Sequence, residues 1–397
     1  MQDTSGLQWP TDVTMWIAAL RDAGHVEWMP LYYRKDSVQV CARGRSSGRH
    51  SQKHLVNGAI VDTGSKEIAL HSDECTVCGG QSHASIQHVV TSLEDDTEQS
   101  MKHLGDGVEY SWRVCHDLEI WKGSSWVSLE HFTKQRCHAN GDSRCRRCPG
   151  QKFLVDIVYD RAPRQGMEIV STLRSGRFGV GPGCEHVHSD SSVVLLLSKE
   201  ASVPSDRTEQ CVTESKACQG AMCLNMPRTL LPQLKGFVAL QTENQSLVRG
   251  VGPDTYRVRV RRVLCRVAHD VDRSCAASPD IAVFDTGSTY SYVSPSLFHC
   301  LQQNRRKHQG SEIAFDICCT PASDHVKAFR QSFLIQATLY DETTGTGDLR
   351  AFPAQLRFPD HLCIIGVKSM RGLALAFVPG CSFKRITPCV YACHMSS

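Results

Sequence analysis

The chain alternates short apolar runs with polar turn segments, and stretches with a helical period are few. The runs are rich in Val, Ile, Leu, Phe and Tyr, and Gly, Pro, Asp or Ser ends most of them, which is typical of strands joined by turns. Many such runs predict an all-β protein. The predicted strands are 37–40, 59–61, 154–159, 192–197, 256–267, 281–284, 333–340, 363–365 and 373–378.

Helix signals are concentrated in the second half of the chain. The segment 295–303 (PSLFHCLQQ) is the best short helix, and Ser294 is a plausible N-cap because its hydroxyl can accept from the first free backbone amides. By contrast, 84–150 and 198–228 are polar, irregular and rich in cysteine, so we interpret them as loops and surface insertions.

A break in the pattern divides the chain in two. The segment 245–252 is polar and contains two glycines, which marks a lobe boundary. We therefore predict an N-terminal extension at 1–27, an N-terminal lobe at 28–248 and a C-terminal lobe at 249–397. A chain of 397 residues is long enough for one large domain or two ordinary ones.

Composition and charge describe a globular protein rather than a nucleic-acid or membrane protein. The net charge of +3 is too small to argue for nucleic-acid binding, and the local basic bunches are typical of solvated faces. No window approaches the ~18 apolar residues of a membrane span, so any membrane anchor would have to lie outside this sequence.

Cysteine usage points to an oxidising compartment. The chain has 20 cysteines spread along its length, which favours several disulfides and a location in the secretory pathway, in the endoplasmic reticulum or outside the cell. A reduced cytosolic protein with buried thiols is the alternative. The N-terminus lacks a basic, apolar signal sequence, so we expect a start further upstream or a trimmed precursor. Asn244 begins a sequon that permits glycosylation.

The most informative feature is a repeat, AIVDTGS at 59–65 and VFDTGS at 283–288. Each copy places an aspartate, Asp62 or Asp285, directly after an apolar β-type run. An isolated ionised carboxylate would be costly there unless hydrogen-bond donors or a partner compensated it. One such copy is a common turn, whereas two copies about half a chain apart predict two matching lobes that each deliver one aspartate to a shared cleft.

The residues after each aspartate are expected to support the pair. The glycines permit a tight loop and close backbone approach, the threonine hydroxyls can bond across the loop bases, and the serine hydroxyls can donate to the outer carboxylate oxygens. These supporting residues are Thr63, Gly64, Ser65, Thr286, Gly287 and Ser288.

Two carboxyls held about 3 Å apart cannot both ionise, so they share one proton and titrate as a coupled unit. The ionised carboxylate can then act as the base that activates a water. The protonated carboxyl can hydrogen-bond the carbonyl under attack and stabilise the gem-diol that forms.

With these motifs the chain resembles the pepsin family of aspartic proteases from about residue 31 to residue 389. The stretch PLYYRKDSVQV (30–40) resembles the family's first strand, and CIIGVKSMRGLALAFV (363–378) resembles its apolar-apolar-Gly segment and the strand that follows. The stretch VDIVYDRAPRQGMEIV (155–170) resembles the flap hairpin. The resemblance implies a bilobal fold with pseudo-twofold lobes and a central cleft. It also implies that Tyr159, followed by Gly166, closes over the substrate; a tyrosine in an ordinary strand is the alternative.

A narrower resemblance rests on cysteine. Cys75 and Cys78, in HSDECTVCGG, are placed as in plasmepsin V-like proteases of apicomplexan parasites, and plant nepenthesin-like proteases are similarly rich in cysteine. Plasmepsin V-like enzymes act in the endoplasmic reticulum on exported proteins.

Several positions depart from the pepsin pattern. Lys66 stands where the family commonly has Ser, Ala69 replaces the aromatic residue that often supports the flap, and the flap turn at 160–163 lacks its usual glycine and serine. LKGFVAL (234–240) resembles the first lobe's apolar-apolar-Gly segment, but Ala239 stands where Gly is expected.

Metal chemistry is the weaker interpretation of the remaining Cys and His residues. Two Cys-x2-Cys pairs, at 75–78 and 145–148, are separated too far for a compact zinc module, and disulfides are favoured. The segment 184–188 (CEHVH) could bind metal, although a polar surface segment is the simpler interpretation. No phosphate-binding or dinucleotide-binding glycine pattern is present in the sequence. We expect no cofactor and no metal.

The sequence thus predicts a monomeric aspartic endopeptidase that hydrolyses polypeptide substrates, with secretory or exported proteins as the narrower expectation. The alternatives are a weakly active or inactive binding protein on the same scaffold and a zinc-dependent Cys/His interaction protein.

Overall fold

The computed structural model describes the larger part of the chain. The described residues are 9–21, 27–34, 37–45, 55–71, 98–103, 107–122, 125–133, 153–163, 176–184, 186–187, 191–199, 218–234, 236–243, 255–267, 270–274, 279–307, 312–320, 332–353, 359–379 and 388–395.

Strands dominate the described residues, so the all-β class is confirmed. The strands of the first half are β1 (Met29–Arg34), β2 (Ser37–Arg45), β3 (Leu55–Asp62), β4 (Ile68–His71), β5 (Glu98–His103), β6 (Gly107–Trp121), β7 (Trp126–Ser128), β8 (Phe153–Pro163), β9 (Gly176–Gly179), β10 (Ser191–Leu197), β11 (Gly220–Pro227) and β12 (Val238–Leu240). Those of the second half are β13 (Tyr256–Val267), β14 (Asp270–Ser274), β15 (Ile281–Phe284), β16 (Ser291–Val293), β17 (Glu312–Cys318), β18 (Ser332–Ala337), β19 (Leu349–Ala351), β20 (Leu362–Ile365), β21 (Leu373–Val378) and β22 (Cys389–His394).

The strands form two sheets. The larger one has the order β12-β22-β21-β10-β11-β1-β2-β3-β9-β4-β8-β6-β5, with β7 beside β6. The smaller one has the order β18-β17-β13-β15-β20-β16-β19, with β14 beside β13. The C-terminal strands β21 and β22 belong to the larger sheet, because β21 pairs antiparallel with β10. The two halves of the chain therefore share a sheet, and the predicted boundary at 245–252 lies outside the described residues.

In the described part of the chain the sheets are accompanied by a 3₁₀ helix (Arg228–Gln233) and four α-helices: α1 (Thr11–Arg21), α2 (Leu129–Thr133), α3 (Pro295–Lys307) and α4 (Val367–Met370). Helix α3 confirms the prediction at 295–303, and the Leu297 amide donates to Ser294 Oγ at 3.4 Å, as expected of an N-cap. Helix α1 lies in the segment interpreted only as an extension, and its buried Val13 and Leu20 belong to a hydrophobic cluster with β10, β11 and β21. No helix among the described residues is long and apolar enough to cross a membrane.

A single large cluster of buried side chains joins the two sheets. The Tyr256 ring of β13 lies 4.7 Å from the Phe377 ring of β21, and its hydroxyl donates to the Val180 carbonyl at 3.0 Å. Phe284, at the end of β15, packs on the same Phe377 at 6.3 Å. This core supports the ends of β3 and β15, where the aspartates lie.

Candidate active site

Two strands in equivalent surroundings carry the predicted aspartates. Strand β3 lies between β2, which is antiparallel, and β9, which is parallel; β15 lies likewise between antiparallel β13 and parallel β20. Strands buried on both faces favour continuous apolar sequence, which explains the apolar runs before each aspartate. Each strand ends in the Asp-Thr-Gly-Ser loop, so the sequence repeat is also a structural repeat.

Reciprocal hydrogen bonds between the threonines tie the two loops together. The Thr63 amide donates to Thr286 Oγ1 at 3.1 Å, and the Thr286 amide donates to Thr63 Oγ1 at 3.0 Å. Each hydroxyl in turn donates across the interface, Thr63 Oγ1 to the Phe284 carbonyl at 2.8 Å and Thr286 Oγ1 to the Val61 carbonyl at 2.6 Å. Both threonines are buried, so water cannot replace these bonds.

This linkage brings the two carboxyls into contact. The Gly64 amide donates to Asp62 Oδ1 at 2.8 Å, the Gly287 amide donates to Asp285 Oδ1 at 2.9 Å, and the two carboxyls are hydrogen-bonded to each other. A methyl group on Gly287 would lie 2.7 Å from Asp62 Oδ1, closer than any side chain tolerates. Glycine is needed at this position because the opposite carboxylate approaches its Cα so closely.

The environment of Asp285 favours its protonated form. Burial raises the pKa of Asp285 to about 8, and the neighbouring Asp62 carboxyl adds to the effect through its charge and its hydrogen bond. The Gly287 and Ser288 amides act in the opposite direction but are weaker. At neutral pH, Asp285 therefore holds a proton that it shares with its partner.

The two serines of the loops do not bond as the sequence predicted. Ser288 Oγ donates to the Tyr290 carbonyl at 3.0 Å, and Ser65 Oγ lies 3.4 Å from Lys102 Nζ. Among the described residues, neither hydroxyl bonds the Asp62 or the Asp285 carboxyl. The backbone amide of Ser288 takes that place at Asp285, so the loop supports the carboxylate through main-chain donors.

A buried arginine beside Asp62 was not expected. Arg177 of β9 has Nε 4.0 Å from Asp62 Oδ2, and this Nε has no hydrogen-bond partner. Its other nitrogens donate to the buried Glu109 of β6, Nη2 to Oε1 at 2.9 Å and Nη1 to Oε2 at 3.3 Å. Burial lowers the pKa of Arg177, but Glu109 and Asp62 raise it above its ordinary value, so the guanidinium stays charged.

A second ion pair lies at the same loop. Lys102 of β5 donates to Glu67 Oε2 at 2.5 Å and also reaches Ser65. Burial raises the pKa of Glu67, but the bond and charge of Lys102 outweigh it, so that the pKa is lowered and Glu67 is ionised. Ala69, which follows, is fully buried in β4, and Lys66 is half-buried.

The β5–β6 hairpin is described at this loop, whereas the predicted flap hairpin at 155–170 is described only as far as Pro163. Strand β8, which contains Tyr159, is an internal strand that pairs with β4 on one side and β6 on the other. Tyr159 is the extra residue of a bulge, since its neighbours Asp160 and Val158 pair with consecutive residues of β6. The β5–β6 hairpin lies at the sheet edge and carries Lys102 to the loop. Gly166 lies outside the described residues, and substrate contact by Tyr159 stays a prediction.

Strand β9, rather than the segment 234–240, takes the place beside β3 that β20 takes beside β15. In the parallel pairing of β9 with β3, Phe178 lies opposite Val61. In the parallel pairing of β20 with β15, Ile365 lies opposite Phe284. Gly179 and Gly366 follow these two residues, so Arg177 takes the place that Ile364 has in the second half. Ala239 instead lies in β12 and pairs with β22, so it bears on neither loop. The sequence signal for β9 is the run GRFG at 176–179.

The candidate metal and disulfide residues lie largely outside the described residues. This holds for Cys75, Cys78, Cys145 and Cys148, and among the described residues no three His, Cys, Asp or Glu side chains are grouped to hold a metal. His186 packs on Phe178 at 5.2 Å, and burial lowers its pKa to about 4, so it is neutral. No disulfide joins two described cysteines, and the disulfide prediction stays a prediction.

A scan against protein-family models found no match for the chain, and a search of curated proteins found no significant match.

Proposed function

We propose that the protein is an aspartic endopeptidase with a pepsin-like bilobal fold. The observation that supports this best is the pair of Asp-Thr-Gly loops, joined by reciprocal threonine bonds, that hold Asp62 and Asp285 in hydrogen-bond contact. Two carboxyls that share one proton supply a base and an acid at one place, which is what hydrolysis of an amide by water requires.

In this mechanism the two carboxyls have different roles. Asp62, next to the Arg177 cation, is the carboxylate that takes a proton from the attacking water. Asp285 holds the shared proton and donates it to the carbonyl oxygen, so the oxygen develops no full negative charge. The resulting gem-diol then collapses: the proton on Asp62 passes to the leaving amine, and a hydroxyl proton returns to Asp285. The products are a carboxylic acid and an amine, and the enzyme regains its starting state.

The β5–β6 hairpin is the candidate cover for the cleft. It lies at the free edge of the larger sheet, and Lys102 attaches it to the loop that carries Asp62. Closure of such a hairpin over a substrate would exclude water from the reacting bond.

Polypeptides are the proposed substrates, and secretory or exported proteins in an oxidising compartment are the narrower proposal. The narrower part rests on the 20 cysteines and on the resemblance of Cys75 and Cys78 to plasmepsin V-like proteases.

A statine-type peptide, whose hydroxyl replaces the attacking water, tests the proposal. The protein should cleave a mixed peptide library, and one equivalent of a tight statine inhibitor should abolish cleavage. Binding of the inhibitor without any cleavage of the library would instead support the non-catalytic binding protein. Ala239 does not favour that alternative, because it lies in β12 and pairs with β22 rather than beside either Asp-Thr-Gly loop.

A further inference from the structure

An arginine that packs against two tyrosine rings lies near the loop of Asp285. The Arg350 Cζ atom is 3.8 Å from the ring centre of Tyr290 and 3.6 Å from that of Tyr340. The two rings lie 5.3 Å apart and nearly perpendicular. Both Cζ distances are well inside the about 6 Å range of cation–π attraction, so the guanidinium has a fixed orientation.

The sheet register places this arginine on the face turned away from the core. Arg350 of β19 pairs with Tyr292 of β16, and the neighbouring pair Ser291 and Leu349 is fully buried. Side chains alternate along a strand, so Tyr292 and Arg350 lie on the opposite, partly exposed face. Tyr290 precedes β16, and its ring lies on the same side because Arg350 contacts it.

This face adjoins the catalytic pair. The Tyr290 carbonyl accepts from Ser288 Oγ at 3.0 Å, and the Lys368 amide donates to the Thr289 carbonyl at 3.1 Å. Burial raises the pKa of Tyr292, Arg350 lowers it, and the charge of Asp285 raises it. The Tyr292 hydroxyl is therefore within electrostatic reach of both Arg350 and Asp285.

Two cations, Arg350 and Lys368, lie at these tyrosine rings. Arg350 makes no ion pair with a described carboxylate, and its buried Nε has no hydrogen-bond partner. Lys368 Nζ adds a second cation 4.5 Å from the Tyr290 ring. The half-buried Asp348 faces Lys368, but its oxygens accept from the Thr338 amide and from Ser369 Oγ.

We propose that Tyr290, Tyr340, Arg350 and Lys368, here called the arginine–tyrosine cluster, bind an acidic side chain of the polypeptide substrate. A guanidinium presents a planar set of donors that matches a carboxylate, and contact with two tyrosine rings restricts its movement before the substrate arrives. The inference rests on the proposed peptidase function and adds a substrate class to it.

Pairs of peptides test the cluster. The two peptides of a pair differ only by Glu or Gln at one position, and each position around the cleaved bond is varied in turn. The wild-type protein should favour Glu at one position. The Arg350→Met protein should lose about tenfold or more in kcat/KM for the Glu peptide there, and change little for the Gln peptide. Arg350→Lys should keep part of the preference, and Arg350→Glu should shift it towards Lys or Arg.

Arg43→Met is the matched control, because Arg43 also stacks on an aromatic ring, Trp126 at 4.5 Å, but lies in β2 of the other sheet. It should leave the Glu-to-Gln ratio unchanged. The same Glu-to-Gln ratio must appear in the affinities of paired statine inhibitors, because these affinities do not depend on turnover. Near-UV circular dichroism checks that each variant is folded.

Equal Glu-to-Gln ratios in wild-type and Arg350→Met proteins, with cleavage intact, would overturn the cluster's role and leave the peptidase proposal standing. Failure of the wild-type protein both to cleave peptides and to bind the inhibitors would overturn the peptidase proposal, and the cluster's role with it.

Discussion

Replacing Thr63 by valine tests whether the threonine linkage holds the two loops together. The substitution keeps the shape of the side chain but removes the oxygen that accepts from the Thr286 amide and donates to the Phe284 carbonyl. Both groups would be left buried without a partner, and each such group costs about 1–3 kcal/mol. The free energy of unfolding should therefore fall by about 2–6 kcal/mol. Catalysis should fall with it, because Asp62 and Asp285 are no longer held in register.

Urea unfolding, followed by fluorescence and by far-UV circular dichroism, measures this change, and coincident transitions justify a two-state free energy. Thr14→Val is the control. Its hydroxyl donates to the Pro10 carbonyl at 3.0 Å on an exposed face of α1, where water can replace it, so the loss should stay within about 0.5 kcal/mol. A loss for Thr63→Val as small as that of the control would refute the linkage.

Further predictions concern the charges of the site. Activity should fall as the pH rises through about 8, because Asp285 loses its proton there; a pH–kcat profile that is flat to pH 10 would contradict this role. The folded-state pKa of Asp285 lies above its unfolded value, so its contribution to stability is present in full below about pH 4 and is lost as the pH rises towards 8. Asp285→Asn should therefore become more stable relative to wild type across that range, as urea unfolding at several pH values would reveal; a constant difference would argue against the raised pKa. Arg177→Met should destabilise the protein by about 3–5 kcal/mol because the buried Glu109 loses its cation. The double variant Arg177→Met, Glu109→Met should be less destabilised than Arg177→Met but should have a lower kcat than wild type. Additive changes in the free energy of unfolding across this double-mutant cycle would exclude the coupling of Arg177 and Glu109. Gly287→Ala should abolish cleavage by displacing the Asp62 carboxylate, and retained kcat would show that the two groups are further apart.

Local signals in the sequence predicted the elements whose ends are marked by local chemistry. Strands β13, β15 and β21 have the predicted bounds, since each is a β-rich run between polar or turn-forming residues. Helix α3 begins where Ser294 offers an oxygen to the free amides. The repeated Asp-Thr-Gly-Ser indicated both loops before any contact was known, because the same chemistry is required twice.

Long-range contacts explain what the sequence did not show. Glu109 and Arg177 are 68 positions apart, and each looks like a surface residue until the fold places them together. For that reason the sequence predicts loops where the polar strands β5 and β6 lie, and it does not mark GRFG as the strand that pairs with β3. The segment around Ala239 was chosen instead because a short apolar pattern is ambiguous without its pairing register.

Cleavage of a peptide library by the wild-type and Asp285→Asn proteins, measured side by side at pH 5 to 7, tests the central claim most directly. The account predicts that the wild-type protein hydrolyses peptide bonds and that Asp285→Asn, although folded, does not. Equal rates of cleavage by the two proteins would contradict hydrolysis by the aspartate pair.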